Sequence, residues 1–269
     1  MNYENIMDMH THSKMSFDGH HSAFKLCQTA ADRGAIAIAV TDHLDIDGFE
    51  GDVDKFIFDQ FEETLNAKID IKGRLAVLQG IELGQGIYKK EKSEEIMDKY
   101  NYDVVLGSIH NLDNMPDFYY LDYTKENVND LLEKYFEAVY ELAKWNMTDC
   151  LAHLTYPLRY IIGRDKIDVD MTAFDDIINA IFEKLVYNKK ALELNVSGLF
   201  GSLNNTMPDK EYIKRFKEMG GKYVTVGTDA HYADKVCTGI DKGYDILKEC
   251  GFTHCTVFVH REPWLIPLR

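Results

Sequence analysis

At 269 residues, with 45% hydrophobic and 28% charged residues, the chain has the composition of a soluble globular protein and a length at which an α/β barrel remains one domain. No apolar run approaches the roughly 18 to 20 residues that cross a bilayer, so no membrane partner is expected. A formal charge of −15 excludes a groove for long nucleic acids built from basic side chains, because that affinity comes from lysine and arginine neutralising phosphates. In chain order, the expected strand Ile6–Met9 is followed by a helix at about 22–33 that stops at Gly34. Strand Ile36–Thr41 leads to a helix at about 53–69 ending at Gly73, and strand Leu75–Ile81 to one at about 89–100. Strand Asp103–Ile109 is followed by a long loop rich in aromatic and acidic residues, then a helix at about 125–146. Strands Cys150–Ala152, Ala191–Asn195 and Tyr223–Gly227 precede helices at about 173–188, 209–219 and 239–250, and Cys255–Val259 is the last expected strand. This alternation over the whole length predicts a single α/β domain, residues 1–269, with seven or eight parallel strands in a barrel.

The start, MNYENIMDMH, has neither a basic leader nor an apolar core of a secretion signal, which predicts residence in the cytoplasm. Cys27, Cys150, Cys237, Cys250 and Cys255 are odd in number and form no CxxC pair, so they read as reduced structural thiols and not as a disulfide framework or a thiolate zinc cluster.

The titratable residues fall at equivalent places on this scaffold. His10 and His12 follow the first strand, Asp42 and His43 the second, Glu82 ends the third, His110 follows the fourth and His153 the fifth. Asn195 ends the sixth strand, and Asp229 with His231 follow the seventh. Taken singly, His153 reads as a hydrogen-bonded core residue, Glu82 as a satisfied carboxylate and Asp229 as a helix cap. Together they predict one pocket, because the carboxyl ends of parallel barrel strands converge on one face. Burying so many imidazoles and carboxylates needs compensation, and metal ions supply it. In His10-Thr11-His12 the two rings lie two residues apart on an extended segment and point to one side; Asp229-Ala230-His231 repeats the spacing. Nitrogen and oxygen ligands without sulfur suit zinc, iron or manganese.

These residues resemble the polymerase and histidinol phosphatase (PHP) superfamily. Its motifs are DMHTHS with Asp18 beyond it, TDH at 41–43, AHL at 152–154 and TDAH at 228–231, with Glu82 in GIEL and His110 in GSIH at the remaining ligand positions. Length and the GSIHNLD segment are most similar to the stand-alone histidinol-phosphate phosphatases of histidine biosynthesis. The resemblance implies a distorted (β/α)7 TIM-like barrel and three divalent metal ions. His10, His12, Glu82 and Asp229 would hold the first ion, Glu82, His110 and His153 the second, and Asp18, His43 and His231 the third. Family members often carry histidine where this chain has Asp18, which leaves His20 as the alternative. His20, His21, His254 and His260 otherwise have no claim on the site.

On this reading the substrate is a small phosphate monoester, attacked by a hydroxide between two ions. Asp42 and Asp229 are candidate acids for the leaving alkoxide; for Asp42, and for Asp8, the alternative is to orient a ligand imidazole. Arg159, six residues after His153, is the first choice for binding phosphate, with Arg164 in reserve and Ser197 as a further donor. The loop with Asp113, Asp117, Phe118 and Tyr119 offers carboxylates and aromatic walls to the rest of the substrate, Asp117 foremost, although Tyr119, Tyr120 and Tyr123 also read as cover for an apolar edge. Competing readings are a phosphoesterase for nucleotides or short oligonucleotides, an amidohydrolase, for which His110 stands where a carboxylated lysine is expected, and a metal-binding protein without activity.

Overall fold

The computed structural model describes residues 3–269. Apolar runs form the parallel strands β1 (Met7–Asp8), β2 (Ala37–Val40), β3 (His43–Asp45), β4 (Ala76–Gly84), β5 (Val104–Ser108), β6 (Cys150–Leu151), β7 (Ala191–Asn195) and β8 (Val224–Gly227). Every residue of β2, β5, β7 and β8 is buried, as expected of parallel strands covered on both sides. β2 and β3 are two pieces of one strand. Val40 faces Gln79 and His43 faces Glu82, so the register on β4 is unchanged across the break at Thr41 and Asp42.

Pairing runs β1-β2-β4-β5-β6-β7-β8. The two outer strands then meet through backbone bonds: Met9 N–H donates to the Val226 carbonyl at 3.1 Å, Asp229 N–H to that of His10 at 2.8 Å, and His12 N–H to that of Ala230 at 2.9 Å. The result is a nearly closed barrel of seven parallel strands. The eighth expected strand does not enter it. β9 (His254–Val259) pairs antiparallel with β10 (Glu262–Pro267), a strand the sequence reading did not anticipate, because β1 and β8 already bond to each other and leave no slot. The hairpin turn instead closes the amino-terminal end of the barrel. His260 N–H donates to Asp103 Oδ1 at 3.1 Å, and Arg261 Nε donates to Asp149 Oδ2 at 2.9 Å.

Among the described residues seven α-helices wrap the strands: α1 (Ala23–Asp32), α2 (Val53–Ile71), α3 (Lys90–Lys99), α4 (Val128–Trp145), α5 (Asp175–Asn188), α6 (Lys210–Glu218) and α7 (Ile240–Glu249). Side-chain caps start four of them, from Ser22, Asp52, Asn127 and Asp209. Gly34, Gly73 and Gly220 adopt positive φ where helices end. α4 shows why the helices pack: Leu131, Leu132, Tyr135, Phe136, Val139 and Leu142 recur at three- and four-residue spacing and are all buried. Each such side chain contributes roughly 2 kcal/mol on removal from water. No helix among the described residues is long and apolar enough to cross a membrane.

Candidate metal centre

Strand ends deliver the predicted residues to one face. His10 and His12 leave β1 extended and lie fully buried, Glu82 sits inside β4, and His110 and His153 follow β5 and β6. Asp229 (φ 53°) and His153 (φ 24°) have left-handed backbones that turn the chain just after β8 and β6.

Three side-chain groups result. In the first, His12 Nε2 lies 3.2 Å and His10 Nε2 3.8 Å from Asp229 Oδ1, and both face Glu82 Oε2, at 3.6 and 3.3 Å. In the second, Glu82 Oε1 is 2.8 Å from His153 Nε2 and 3.2 Å from His110 Nε2. Each oxygen of Glu82 thus serves a different pair of these imidazoles. In the third, His231 Nε2 lies 3.3 Å from His43 Nε2 and 3.1 Å from Asp18 Oδ2. Asp18, and not His20, reaches this group; the His20 ring stacks on Tyr232, and His21 Nδ1 accepts the Ala233 N–H. His12 is stacked between His43 and His231 at 4.1 and 4.3 Å, which ties the first group to the third.

The donors fit divalent metal ions. His10 Nε2, His12 Nε2, Asp18 Oδ1 and Glu82 Oε2 are buried without hydrogen-bond partners. His10, His12 and Glu82, His43, Glu82 and His110, and His12, His43 and His231 each bring ligand atoms within 4.8 Å of one another. Burial together with the imidazoles of His43 and His231 pushes His12 well below the ordinary histidine range, so its ring is neutral and free to donate a lone pair. Burial alone would raise Glu82 and Asp229. The imidazoles around Glu82 (His10, His110 and His43), and His12, His10 and Arg159 around Asp229, outweigh it and hold both carboxylates well below their usual values.

Asp42 does not face the cavity. Its Oδ1 accepts from Ser13 N–H at 2.6 Å and from Ser16 Oγ at 2.9 Å, and its Oδ2 accepts from Ser13 Oγ at 3.0 Å. Ser16 Oγ in turn lies 3.2 Å from His12 Nδ1. Its oxygens are committed to the loop that carries His12, an arrangement that suits the orienting alternative, while burial raises its carboxyl above the usual range. Asp229 is paired with Arg159, and its neighbours hold its carboxyl well below the usual carboxylate range. Asp8 binds Thr228 and the Cys237 N–H, and so shapes the β8 loop without touching an imidazole ring.

Two carboxylates that sequence reasoning passed over support the rings from behind. Asp45 Oδ1 lies 2.9 Å from His110 Nδ1, and Glu193 Oε1 lies 2.8 Å from His10 Nδ1. The available signal was period-two spacing: Asp45 shares a strand face with His43, and Glu193 with Asn195.

His10 and His12 lie buried behind the rings of His43, His110, His153 and His231, which open on a cavity of about 250 Å³. Arg159 lies on its wall, on the loop after His153, with Nη2 donating to Asp229 Oδ2 at 3.0 Å and to Ser197 Oγ at 2.5 Å. Asp117 lines the same cavity and accepts from Tyr156 OH at 3.2 Å. The aromatic loop divides: Tyr119 and Tyr120 stand exposed at the mouth, opposite exposed Phe17, whereas Phe118 and Tyr123 are buried and cover the core. Phe118 is therefore no substrate wall. Asp113 faces a neighbouring cleft of about 670 Å³ that shares His43 and Asp45 but not Arg159 or Asp229. Arg164 is engaged by Asp165 and by the carbonyls of Tyr119 and Leu121. His254 and His260 lie on the β9–β10 hairpin, which docks at the opposite end of the barrel.

A barrel that gathers imidazoles and carboxylates at the carboxyl ends of its strands has the build of a metallohydrolase. The PHP domain family matches residues 8–197, and this chain belongs to it. The matched span holds each of the expected metal ligands except Asp229 and His231. The chain is 30% identical to a probable histidinol-phosphatase of Thermotoga maritima over 256 residues, covering 94% of this chain and 95% of the relative. It is 28% identical over 253 residues to a probable histidinol-phosphatase of Clostridium acetobutylicum, covering 91% and 94%. In fold it is similar to the crystal structure of histidinol phosphate phosphatase from Lactococcus lactis complexed with zinc, L-histidinol and phosphate, with a TM-score of 0.84 and 22% identity over 97% of this chain and 99% of that one.

Proposed function

We propose that this chain is a phosphomonoesterase that hydrolyses L-histidinol phosphate to L-histidinol and phosphate, the phosphatase step of histidine biosynthesis, with the whole chain working as one domain in the cytoplasm. The observation that carries the reading is the meeting of three imidazole–carboxylate groups and a guanidinium at one face of the barrel, around a single cavity. Relatives named for this activity match along nearly the entire chain.

His10, His12, Glu82 and Asp229 are assigned to one divalent ion, Glu82, His110 and His153 to a second, and Asp18, His43 and His231 to a third, with zinc, iron or manganese as occupants. Bound ions of this kind polarise phosphoryl oxygens and bring the pKa of water to about 7. Arg159 binds the phosphoryl group, sharing its guanidinium between substrate oxygens and Asp229, while Ser197 and Asp229 hold it in place. Asp42 keeps the His12 ring turned through Ser16. Phe17, Tyr119 and Tyr120 offer ring faces to the imidazole of the substrate, and Asp117 a carboxylate to its ammonium.

Phosphate release from a panel of esters, with metal analysis of the same preparation, tests this. Histidinol phosphate is expected to exceed p-nitrophenyl phosphate in kcat/KM by about a hundredfold, since a pocket with matched polar groups discriminates at least that well. Equal turnover of the two would defeat the assignment, and preference for a 5′-mononucleotide or a short oligonucleotide would establish the rival reading. Arg159→Ala is expected to raise KM about 10- to 100-fold with a smaller change in kcat, the worth of a charge-assisted hydrogen bond to phosphate. An unchanged KM in steady-state assays would assign phosphate binding to the ions alone.

A further inference from the structure

Glu193 lies inside the barrel on β7, fully buried, and does not line the cavity. Its two oxygens are committed to different strands. Oε1 is 2.8 Å from His10 Nδ1, beyond β1, while Oε2 accepts the His153 N–H at 2.8 Å, beyond β6, and Asn195 Nδ2 at 3.2 Å. The neighbouring strand is shaped around this pair. A Cβ on Gly227 would come within 2.3 Å of Glu193 Oε1 and 2.4 Å of His10 Cβ, so only glycine leaves the space. His153 has φ 24°, a conformation that needs outside support, and its amide bond to Glu193 is that support.

We propose that Glu193 is a positioning residue that couples the first and second imidazole groups. By accepting a proton-bearing His10 Nδ1 it selects the tautomer whose Nε2 lone pair faces Glu82 and Asp229. By accepting the His153 amide it fixes the turn that aims the His153 ring at Glu82. Glu82 joins the two groups from the cavity side, and Glu193 joins them from behind. The third group, Asp18, His43 and His231, has no hydrogen bond to Glu193 among the described residues and meets the first group only through the stacked His12 ring and the carboxylates of Glu82 and Asp229. The inference rests on the metal assignment made above.

Glu193→Gln is the test. A glutamine has one acceptor oxygen where glutamate has two, so either His10 Nδ1 or the donors His153 N–H and Asn195 Nδ2 must face an amide N–H₂. Zinc titration against a chromophoric chelator should show two binding sites weakened roughly 10- to 100-fold and the third unchanged, the usual cost of losing a carboxylate behind a ligand imidazole. Glu193→Asp, too short to span both partners, should weaken the same two sites. Wild-type zinc affinity in both variants would overturn the inference. A measurement on the zinc-loaded wild-type protein does not depend on the variants folding: ¹⁵N spectra of the imidazoles should show His10 bound through Nε2 with its proton on Nδ1. Ligation through Nδ1 would overturn the proposal while leaving the metal assignment intact, and a wild-type protein that takes up no zinc would remove both.

Discussion

Glu82→Ala is expected to release metal from two of the three groups and to lower kcat/KM by about a thousandfold or more, which corresponds to losing roughly 4 kcal/mol of Lewis-acid stabilisation in the transition state. The magnitude follows from where the carboxylate sits. Oε2 faces His10 and His12, Oε1 faces His110 and His153, and Oε2 is also 2.8 Å from His43 Nδ1. No other carboxylate among the described residues touches all of these rings. Asp229 reaches the first group and Asp18 the third, so removing either should spare the remainder of the cluster. Metal content and steady-state rates measured on the same sample decide the matter. A variant that keeps its full metal complement and its rate would show that Glu82 is not the shared ligand.

Metal removal is expected to lower the melting temperature by roughly 10 °C, because one ion held at a thousand times its Kd contributes about 4 kcal/mol and a domain of this size shifts by about 2 to 4 °C per kcal/mol. Stripping leaves buried imidazole nitrogens and two carboxylate oxygens, Asp18 Oδ1 and Glu82 Oε2, unpartnered. The effect has a defined pH dependence. Burial lowers His10 and His110, but Glu193 and Glu82 beside His10, and Glu82 and Asp45 beside His110, more than reverse this and raise both well above the ordinary histidine value. Protons on these rings therefore stabilise the stripped protein fully below the ordinary value, and that stabilisation disappears as pH rises through the raised ones. Ions need the same rings deprotonated. The gap between loaded and stripped melting temperatures should thus widen from about pH 6 to about pH 8, as scanning calorimetry can show. A gap that narrows over that range would mean that the rings do not exchange protons for metal.

Much of the barrel was legible because its signals are local. Helix caps at Ser22, Asp52 and Asp209 and stops at Gly34, Gly73 and Gly220 sit where backbone physics demands such residues, and the seven helices and seven barrel strands fall within a few residues of expectation. The converging histidines were legible for a topological reason: parallel strands leave their carboxyl ends on one face. What escaped depends on which way a side chain turns. Asp42 and Asp45 flank His43 in DHLD, yet one holds a loop and the other supports a ring two strands away. Glu193 in LELN looks like any buried carboxylate until His10 and His153 are seen on its two oxygens. The β9–β10 hairpin was missed as a hairpin because its turn uses His260 and Arg261 at positive φ, where asparagine and glycine are the usual signal.

The seam between β1 and β8 has a consequence for how the protein is made. Asp229 N–H donates to the His10 carbonyl there, so the act that closes the barrel also assembles the first imidazole–carboxylate group from residues more than two hundred positions apart. During synthesis, which proceeds from the amino terminus, His10 and His12 are exposed early but have no Asp229 or His231 to meet until nearly the whole chain has been translated. On the proposed metal assignment, a ribosome-bound chain cut short before Val224 should hold the first ion more weakly than the full chain, because His10, His12 and Glu82 are then left without Asp229.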